Sequence, residues 1–278
     1  MRNDNPQFCI IAPTEYLKQY ASQSSMHLVL AHLVDTDNEY TRFYRDRDEY
    51  KIMDNGAFEL GESYAPEKLI ELGRKCKAHA IVLPDYPGKA FVKTMTAAEE
   101  LAPKVIDNGF QTFFCPQSVV GDLNGWIQSY NWASENDDID IIGMSILGIP
   151  NALPHIPKCY ARVVMTQLLI DRGDFNFDKH HHYLGANAGM ALEVPSLIRM
   201  NALDSCDSSN PVWQGLLGHR YAENTDSYSP TCKAKFEVQF DYPMTKDVLA
   251  LDNVQHNIDL TLGLFNEETL IIQSQFAG

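Results

Sequence analysis

Hydrophobic residues along this chain gather into short runs separated by stretches of helical periodicity. Phe8-Cys9-Ile10-Ile11-Ala12, His27-Leu28-Val29-Leu30-Ala31 and Lys51-Ile52-Met53 each read as a buried parallel strand rather than a half-exposed alternating one. Pro66 opens an amphipathic helix in which Leu69, Ile70, Leu72 and Gly73 interleave with Glu67, Lys68, Glu71, Arg74 and Lys75. Further strands are predicted at Ala80-Ile81-Val82-Leu83, Gln111-Thr112-Phe113-Phe114, Ile139-Asp140-Ile141-Ile142, His182-Tyr183-Leu184 and Ala202-Leu203. The helices between them are predicted over 92–108, 123–134, 158–171 (Cys159, Val163, Val164, Leu168 and Leu169 facing in) and 194–200.

Eight strands with helical or loop crossovers point to a closed (β/α)8 TIM barrel, whose usual size of roughly 250 residues suits this chain of 278. The rival, an open doubly wound sheet, is weakened because no Gly-x-Gly-x-x-Gly follows an early strand and no Walker-type loop occurs. Residues 209–235 read as a polar loop and Phe236 to Phe240 as a strand, so 209–245 forms an insertion. A last helix follows from Asp247 to Leu264, with Val248, Leu251, Val254, Ile258 and Leu262 on one face. With no repeat, linker or low-complexity segment, residues 1–278 are expected to form one domain.

Composition narrows the partners. Lysine plus arginine number 22 against 37 acidic residues, a formal charge of −15, which excludes a broadly basic nucleic-acid binder. The polar start and the lack of any apolar run near the roughly 20 residues of a membrane helix predict a cytoplasmic protein with no membrane partner. The six cysteines show no close pair and several lie in apolar runs, which suits buried free thiols.

In a barrel, residues just after each strand surround one pocket. Here those positions are polar: Asp54-Asn55-Gly56-Ala57-Phe58, Pro84-Asp85-Tyr86-Pro87-Gly88, Cys115-Pro116-Gln117, Gly143-Met144-Ser145, Gly185-Ala186-Asn187 and the segment from Asp204 to Pro211. Asp54, Asp85 and Asp207 would thus converge. Two carboxylates flanking a reacting carbon are what glycosidic-bond chemistry needs, one meeting an oxocarbenium-like centre and the other moving protons. A third suits recognition of a donor-rich base edge. An Asp after a strand commonly just caps a helix. Asn55-Gly56 and Tyr86-Pro87-Gly88 instead signal tight turns.

Asp54-Asn55-Gly56-Ala57-Phe58 resembles the Asp-Ser-Gly-Gly-Phe/Tyr motif of the tRNA-guanine transglycosylases, and Val82-Leu83-Pro84-Asp85 resembles their guanine-binding segment. Gln117, the Gly143 to Gly148 loop, Tyr183-Leu184-Gly185, Glu193-Val194-Pro195 and Asp207-Ser208-Ser209-Asn210-Pro211 follow in that superfamily's order, the last resembling its nucleophile motif. The likeness covers about residue 8 to 211. The family's zinc site needs three close cysteines and a histidine, and only Cys232 stands in the matching stretch, so neither a zinc subdomain nor any metal or other cofactor is expected. A compact zinc-less chain with Asp-Asn-Gly-Ala-Phe-Glu looks most like the bacteriophage DNA transglycosylases.

That resemblance implies an enzyme, a pentosyltransferase, that replaces guanine in DNA by a 7-deazaguanine such as preQ0, a modification protecting phage DNA against restriction in the host cytoplasm. It implies Asp207 as the nucleophile at C1′, with Asp204 as an internal rival, and Asp54 as general acid and base. Asp85 would accept from guanine N1–H and the 2-amino group, which adenine cannot match. Gln117 and backbone amides around Gly143 and Ser145 would hold the O6/N7 edge. Phe58 and Leu184 would sandwich the ring, with Asn55, Gly56 and Gly185 completing the base site. Gly148-Ile149-Pro150, where aminomethyl-recognising enzymes carry a carboxylate, suits a neutral substituent.

Arg42, Arg45, Arg47 and Lys51 form the densest basic patch, interleaved with Asp46, Asp48 and Glu49. It reads as a solvated loop by default and a DNA-backbone contact as the sharper alternative. His180-His181-His182 lacks an evident carboxylate partner and alternates faces, so a solvated strand entry or phosphate contact is expected there rather than a metal. Weak, salt-sensitive nucleic-acid binding would rely on local loops, a flipped base, an accessory protein or a second copy of the chain. The alternatives are the same exchange on tRNA, a barrel N-glycoside hydrolase using the same carboxylates with water, and a non-catalytic binding module.

Overall fold

Each strand is a run of three or four residues that is buried along nearly its whole length, as expected where helices cover one face of a sheet and the barrel interior the other. The computed structural model describes residues 5–186, 189–222 and 240–265. Eight parallel strands, β1 (Gln7–Ile10), β2 (Met26–Val29), β3 (Tyr50–Met53), β4 (Ala80–Val82), β5 (Gln111–Phe114), β6 (Ile141–Gly143), β7 (His180–Tyr183) and β8 (Ser205–Ser208), form one sheet in the order β1-β8-β7-β6-β5-β4-β3-β2. The sheet curls into a nearly closed (β/α)8 barrel. Helices α1 (Ala31–Thr36), α2 (Asn38–Arg45), α3 (Ala57–Leu60), α4 (Pro66–Cys76), α5 (Phe91–Asp107), α6 (Leu123–Glu135), α7 (Gly148–Ala152), α8 (Lys158–Arg172), α9 (Met190–Arg199), α10 (Asn210–Leu216) and α11 (Val248–Gly263) fill the crossovers and the segment after β8.

The alternation of side chains is clearest on β5 and β7. Phe114 packs on Trp132 of α6, while Phe113 crosses the interior to meet the His182 ring edge to face at 5.6 Å. Gly143 on the intervening β6 makes that contact possible, because a Cβ there would lie 2.4 Å from the Phe113 ring. On β7, His181 and Tyr183 face the helices: His181 bonds the Tyr130 hydroxyl at 2.9 Å and Tyr183 the Thr166 hydroxyl at 2.8 Å. His180 and His182 face the interior. The histidine run is therefore not a solvated strand entry, since His181 and His182 are fully buried.

Four other expectations are corrected. The eighth strand is Ser205–Ser208, not Ala202-Leu203, and places Asp207 on the strand itself. Its polarity hid it: Ser205 and Asp207 point into an interior that supplies hydrogen-bond partners. Helix α8 buries Ala161, Arg162, Met165, Thr166 and Leu169 and leaves Val164 exposed, a rotated face centred on an arginine. In α11 the buried face runs through Ala250, Asn253, Val254, Asn257, Ile258 and Thr261, with Val248 exposed. Asn257 is drawn inward by the Tyr221 amide and the His219 and Pro211 carbonyls. Residues 210–216, read as loop, form α10, with Pro211 in its first turn. The strand predicted from Phe236 lies outside the described residues apart from Phe240, which sits in a turn, and Cys232 lies outside them too. No helix among the described residues is long and apolar enough to cross a membrane.

Arg162 is the largest fully buried charged side chain among the described residues. Its guanidinium donates to both Glu193 carboxylate oxygens, to the carbonyls of Met144 and Leu184 at 3.2 and 2.9 Å, and to that of Gly185 at 3.1 Å. One side chain thus ties α8 and α9 to the ends of β6 and β7. Breaking a buried, fully bonded pair by removing one partner costs about 3–5 kcal/mol. Arg162→Met should lower unfolding stability by about that amount in urea titration; a loss below about 1 kcal/mol would contradict this role.

Candidate active site

The backbone turns immediately after β3, β4 and β5 put Asp54, Asp85 and Gln117 at the carboxyl ends of the strands. Asp54 Oδ2 accepts the Gly56 amide at 2.9 Å, an Asx turn that Gly56 completes at φ +79°. Gly56, not Asp54, occupies the cap position of the short helix α3. Asn55 is buried and spends its groups on the protein: Nδ2 donates to the Leu83 carbonyl at 3.0 Å and to Asp85 Oδ1 at 2.8 Å, and Oδ1 accepts the Ala57 amide at 2.9 Å. Gln117 Nε2 donates to Asp85 Oδ2 at 2.6 Å. Asn55 and Gln117 thus form a cradle that aims the Asp85 carboxylate, and Oε1 of Gln117 takes no hydrogen bond among the described residues.

Asp207 is buried on the inward face of β8. Its Oδ1 takes the Gly185 amide at 2.9 Å and His182 Nε2 at 3.1 Å; among the described residues Oδ2 takes no hydrogen bond. Gly185 adopts φ +71°, which brings its N–H onto that oxygen, so its amide serves the carboxylate and not a ligand. Asp204 is separated from this group. It precedes β8, accepts the His181 amide at 2.8 Å, and lines a cavity of about 430 Å³ at the amino ends of the strands. Of the two rivals, only Asp207 stands with Asp54 and Asp85.

Asp54 feels the other two carboxyl groups. Burial pushes the Asp54 carboxyl up to about 6, with the charges of Asp85 and Asp207 adding to it and the Gly56 amide opposing it. Burial also raises Asp85, against the Asn55 and Gln117 donors that favour its charged form. A fourth group belongs to the site and was not singled out in the sequence. Glu59 on α3 keeps 22% of its side chain exposed, yet desolvation, Asp54 and Asp207 push its carboxyl up to about 8. Its Oε2 lies 4.0 Å from Nδ1 of His32, the second residue of α1. A glutamate one residue beyond the Asp54 turn and its Phe58 was the signal available.

The remaining expected contacts divide. Phe58 projects into solvent with 74% of its surface exposed, next to the mouth, while Leu184 is half-buried against the core. Ser145 is buried and its hydroxyl accepts the Leu147 and Gly148 amides at 3.1 and 3.2 Å; the Met144 amide is taken by the His182 carbonyl. The basic patch is displaced. Arg42 and Arg45 end α2 and Arg47 precedes β3, at the amino ends of the strands and opposite the carboxylates, with Arg45 and Arg47 paired to Asp46 and Glu49. Lys51 is buried and donates to the Arg47 and Glu49 carbonyls at 2.7 and 3.1 Å, which withdraws it from any surface contact. No cluster among the described residues has the make-up of a metal site. The chain matches no protein-family model and no curated protein.

The arrangement offers a carboxylate with one free oxygen, a carboxyl poised near neutrality and a carboxylate fixed by two amide donors. That set can attack a carbon, move a proton and recognise paired donors. It also costs stability. Because the folded-state value of Asp54 lies above its ordinary 3.8, the penalty is absent below pH 4 and grows as pH rises through about 6. Asp54→Asn, which keeps an acceptor for Gly56, should therefore stabilise the fold by about 1–3 kcal/mol at pH 8 and by almost nothing at pH 4. Denaturation curves at the two pH values check this, and an equal effect at both would contradict it.

Proposed function

We propose that this protein is a base-exchange enzyme that replaces guanine in DNA by a 7-deazaguanine through a covalent glycosyl intermediate on Asp207. The observation that carries the reading is the division of labour among the three carboxyl groups at one barrel mouth, with Asp207 held by one oxygen and Asp85 held by both. Its order along the chain is that of the transglycosylase motifs, and the resemblance to the phage DNA enzymes favours DNA and a preQ0-type base.

In this scheme Oδ2 of Asp207 attacks C1′ of the target deoxyguanosine, and the bond from C1′ to N9 breaks. Protonated Asp54 gives its proton to the departing guanine, a role suited to a carboxyl pushed up to about 6. The incoming base then attacks C1′ through N9, its N9 proton passes to the Asp54 carboxylate, and Asp207 is released as the ester bond breaks. One N-glycosidic bond replaces another, so no energy source is consumed. The Asp85 carboxylate receives the N1–H and 2-amino donors of either base. Adenine would present an acceptor at N1, and sites built on such pairing reject the mismatch by about 10⁴ or more.

Duplex DNA would have to surrender its base to this pocket at a cost of a few kcal/mol. The exposed ring of Phe58 beside the mouth supplies a surface for stacking, worth roughly 1–3 kcal/mol per base. The arginines at the opposite end of the barrel take no part in this scheme.

Incubation with labelled guanine and either DNA or tRNA tests the reading, followed by nucleoside mass spectrometry with preQ0 as the incoming base. Label and deazaguanine deoxynucleoside should appear in DNA, both should be abolished in Asp207→Asn, and Asp85→Ala should lose discrimination for guanine. Incorporation into tRNA alone would overturn the DNA assignment, and release of free base with abasic sites would replace exchange by hydrolysis.

A further inference from the structure

Behind Asp207 a line of polar side chains runs along the barrel interior on β7 and β8, where β5 by contrast sends Phe113 inward. His182 and Ser205 are direct partners in the register of β7 and β8. His182 Nε2 lies 3.1 Å from Asp207 Oδ1, His182 Nδ1 lies 2.7 Å from Ser205 Oγ, and Ser205 Oγ lies 2.7 Å from His180 Nε2. His182 and Ser205 are fully buried; His180 stands half-buried on the wall of the cavity at the amino ends of the strands. The chain thus reaches from the candidate nucleophile to the other end of the barrel.

The hydrogen count on Ser205 fixes its direction. A hydroxyl has one proton, so it donates to one imidazole and accepts from the other. A carboxylate only accepts, so its contact with His182 calls for a proton on Nε2. With that as the ring's one proton, Nδ1 is bare and Ser205 donates to it, and the Ser205 oxygen accepts from Nε2–H of His180. Every proton in the chain points toward Asp207. A buried imidazole with no partner at Nδ1 would keep its Nε2 proton on the carboxylate but lose the bond that fixes its plane.

We infer that His182, in its Nε2–H tautomer, is the positioning residue of Asp207, with Ser205 and His180 fixing the ring from behind so that Oδ1 is held and Oδ2 is left to attack. This inference rests on the proposed base exchange for its kinetic consequence, but not for its tautomer. Its groups have titratable neighbours: Asp54 and Glu59 interact with Asp207, the thiols of Cys9 and Cys206 flank it, and Tyr50, Asp140, Asp178 and Asp204 line the cavity beside His180. The Phe113 ring covers the His182 face.

Long-range ¹H–¹⁵N correlation spectra of the ¹⁵N-labelled full chain at neutral pH read the tautomers directly, with His182 and His180 assigned by the peaks lost in His182→Gln and His180→Gln. The expected result is Nε2–H alone on His182 and Nε2–H on His180. In Ser205→Ala, which removes only the hydroxyl, His182 should keep its Nε2 proton on Asp207, while kcat for base exchange should fall about 10- to 100-fold with KM for guanine unchanged. An Nδ1–H or doubly protonated His182 in the native protein would overturn the inference, as would an unchanged kcat in a folded Ser205→Ala. If the native protein shows the expected tautomers but exchanges no base, the proposed function fails and the positioning of Asp207 stands. If it exchanges base with the wrong tautomer, the reverse holds.

Discussion

A carboxylate placed inside a barrel must find donors or give up its charge, and the Asp207 carboxylate finds two on a single oxygen. The Gly185 amide and His182 Nε2 both converge on Oδ1, leaving Oδ2 without a hydrogen bond among the described residues. An uncompensated buried charge would cost far more than either bond is worth. The surrounding departures from an apolar barrel follow from that requirement. The interior positions of β7 and β8 carry histidines and a serine, β6 has a glycine where the Phe113 ring passes, and Gly185 adopts a left-handed backbone to present its N–H.

The second constraint is rigidity at the strand ends. Arg162 gathers the carbonyls of Met144, Leu184 and Gly185, so the residue whose amide holds Asp207 is itself held through its carbonyl by a buried ion pair with Glu193. On the opposite side of the mouth, Asn55 and Gln117 fix Asp85. The site is thus assembled before a ligand arrives, which lowers the ordering cost of any reaction it performs. Burial pushes the Asp54 and Glu59 carboxyl groups up to about 6 and about 8, which suits both to exchanging protons.

Much of this was legible in the chain. Apolar runs such as Gln111-Thr112-Phe113-Phe114 located strands because a helix-covered strand must be apolar on both faces, and their number and spacing implied a barrel. Asp54, Asp85 and Asp207 were recognisable because polar residues cluster where strands end. What failed to show was polarity that the fold pairs internally. Ser205–Ser208 looked like loop since its hydrogen-bond partners come from β7, and Arg162 did not stand out because its partner Glu193 lies on another helix. Asn55 and Gly185 were taken for ligand contacts, when their groups are spent on Asp85 and Asp207. Lys51 was taken for surface for the same reason, its ammonium being satisfied by two carbonyls.

The central claim is that Asp207 forms a bond to the sugar. Quenching the protein in denaturant while it reacts with a guanine-containing DNA oligonucleotide, followed by peptide mass spectrometry, tests it directly. The predicted result is an oligonucleotide adduct on the peptide containing Asp207 and none with Asp207→Asn. An adduct on the peptide containing Asp54, or abasic DNA with no adduct, would contradict it.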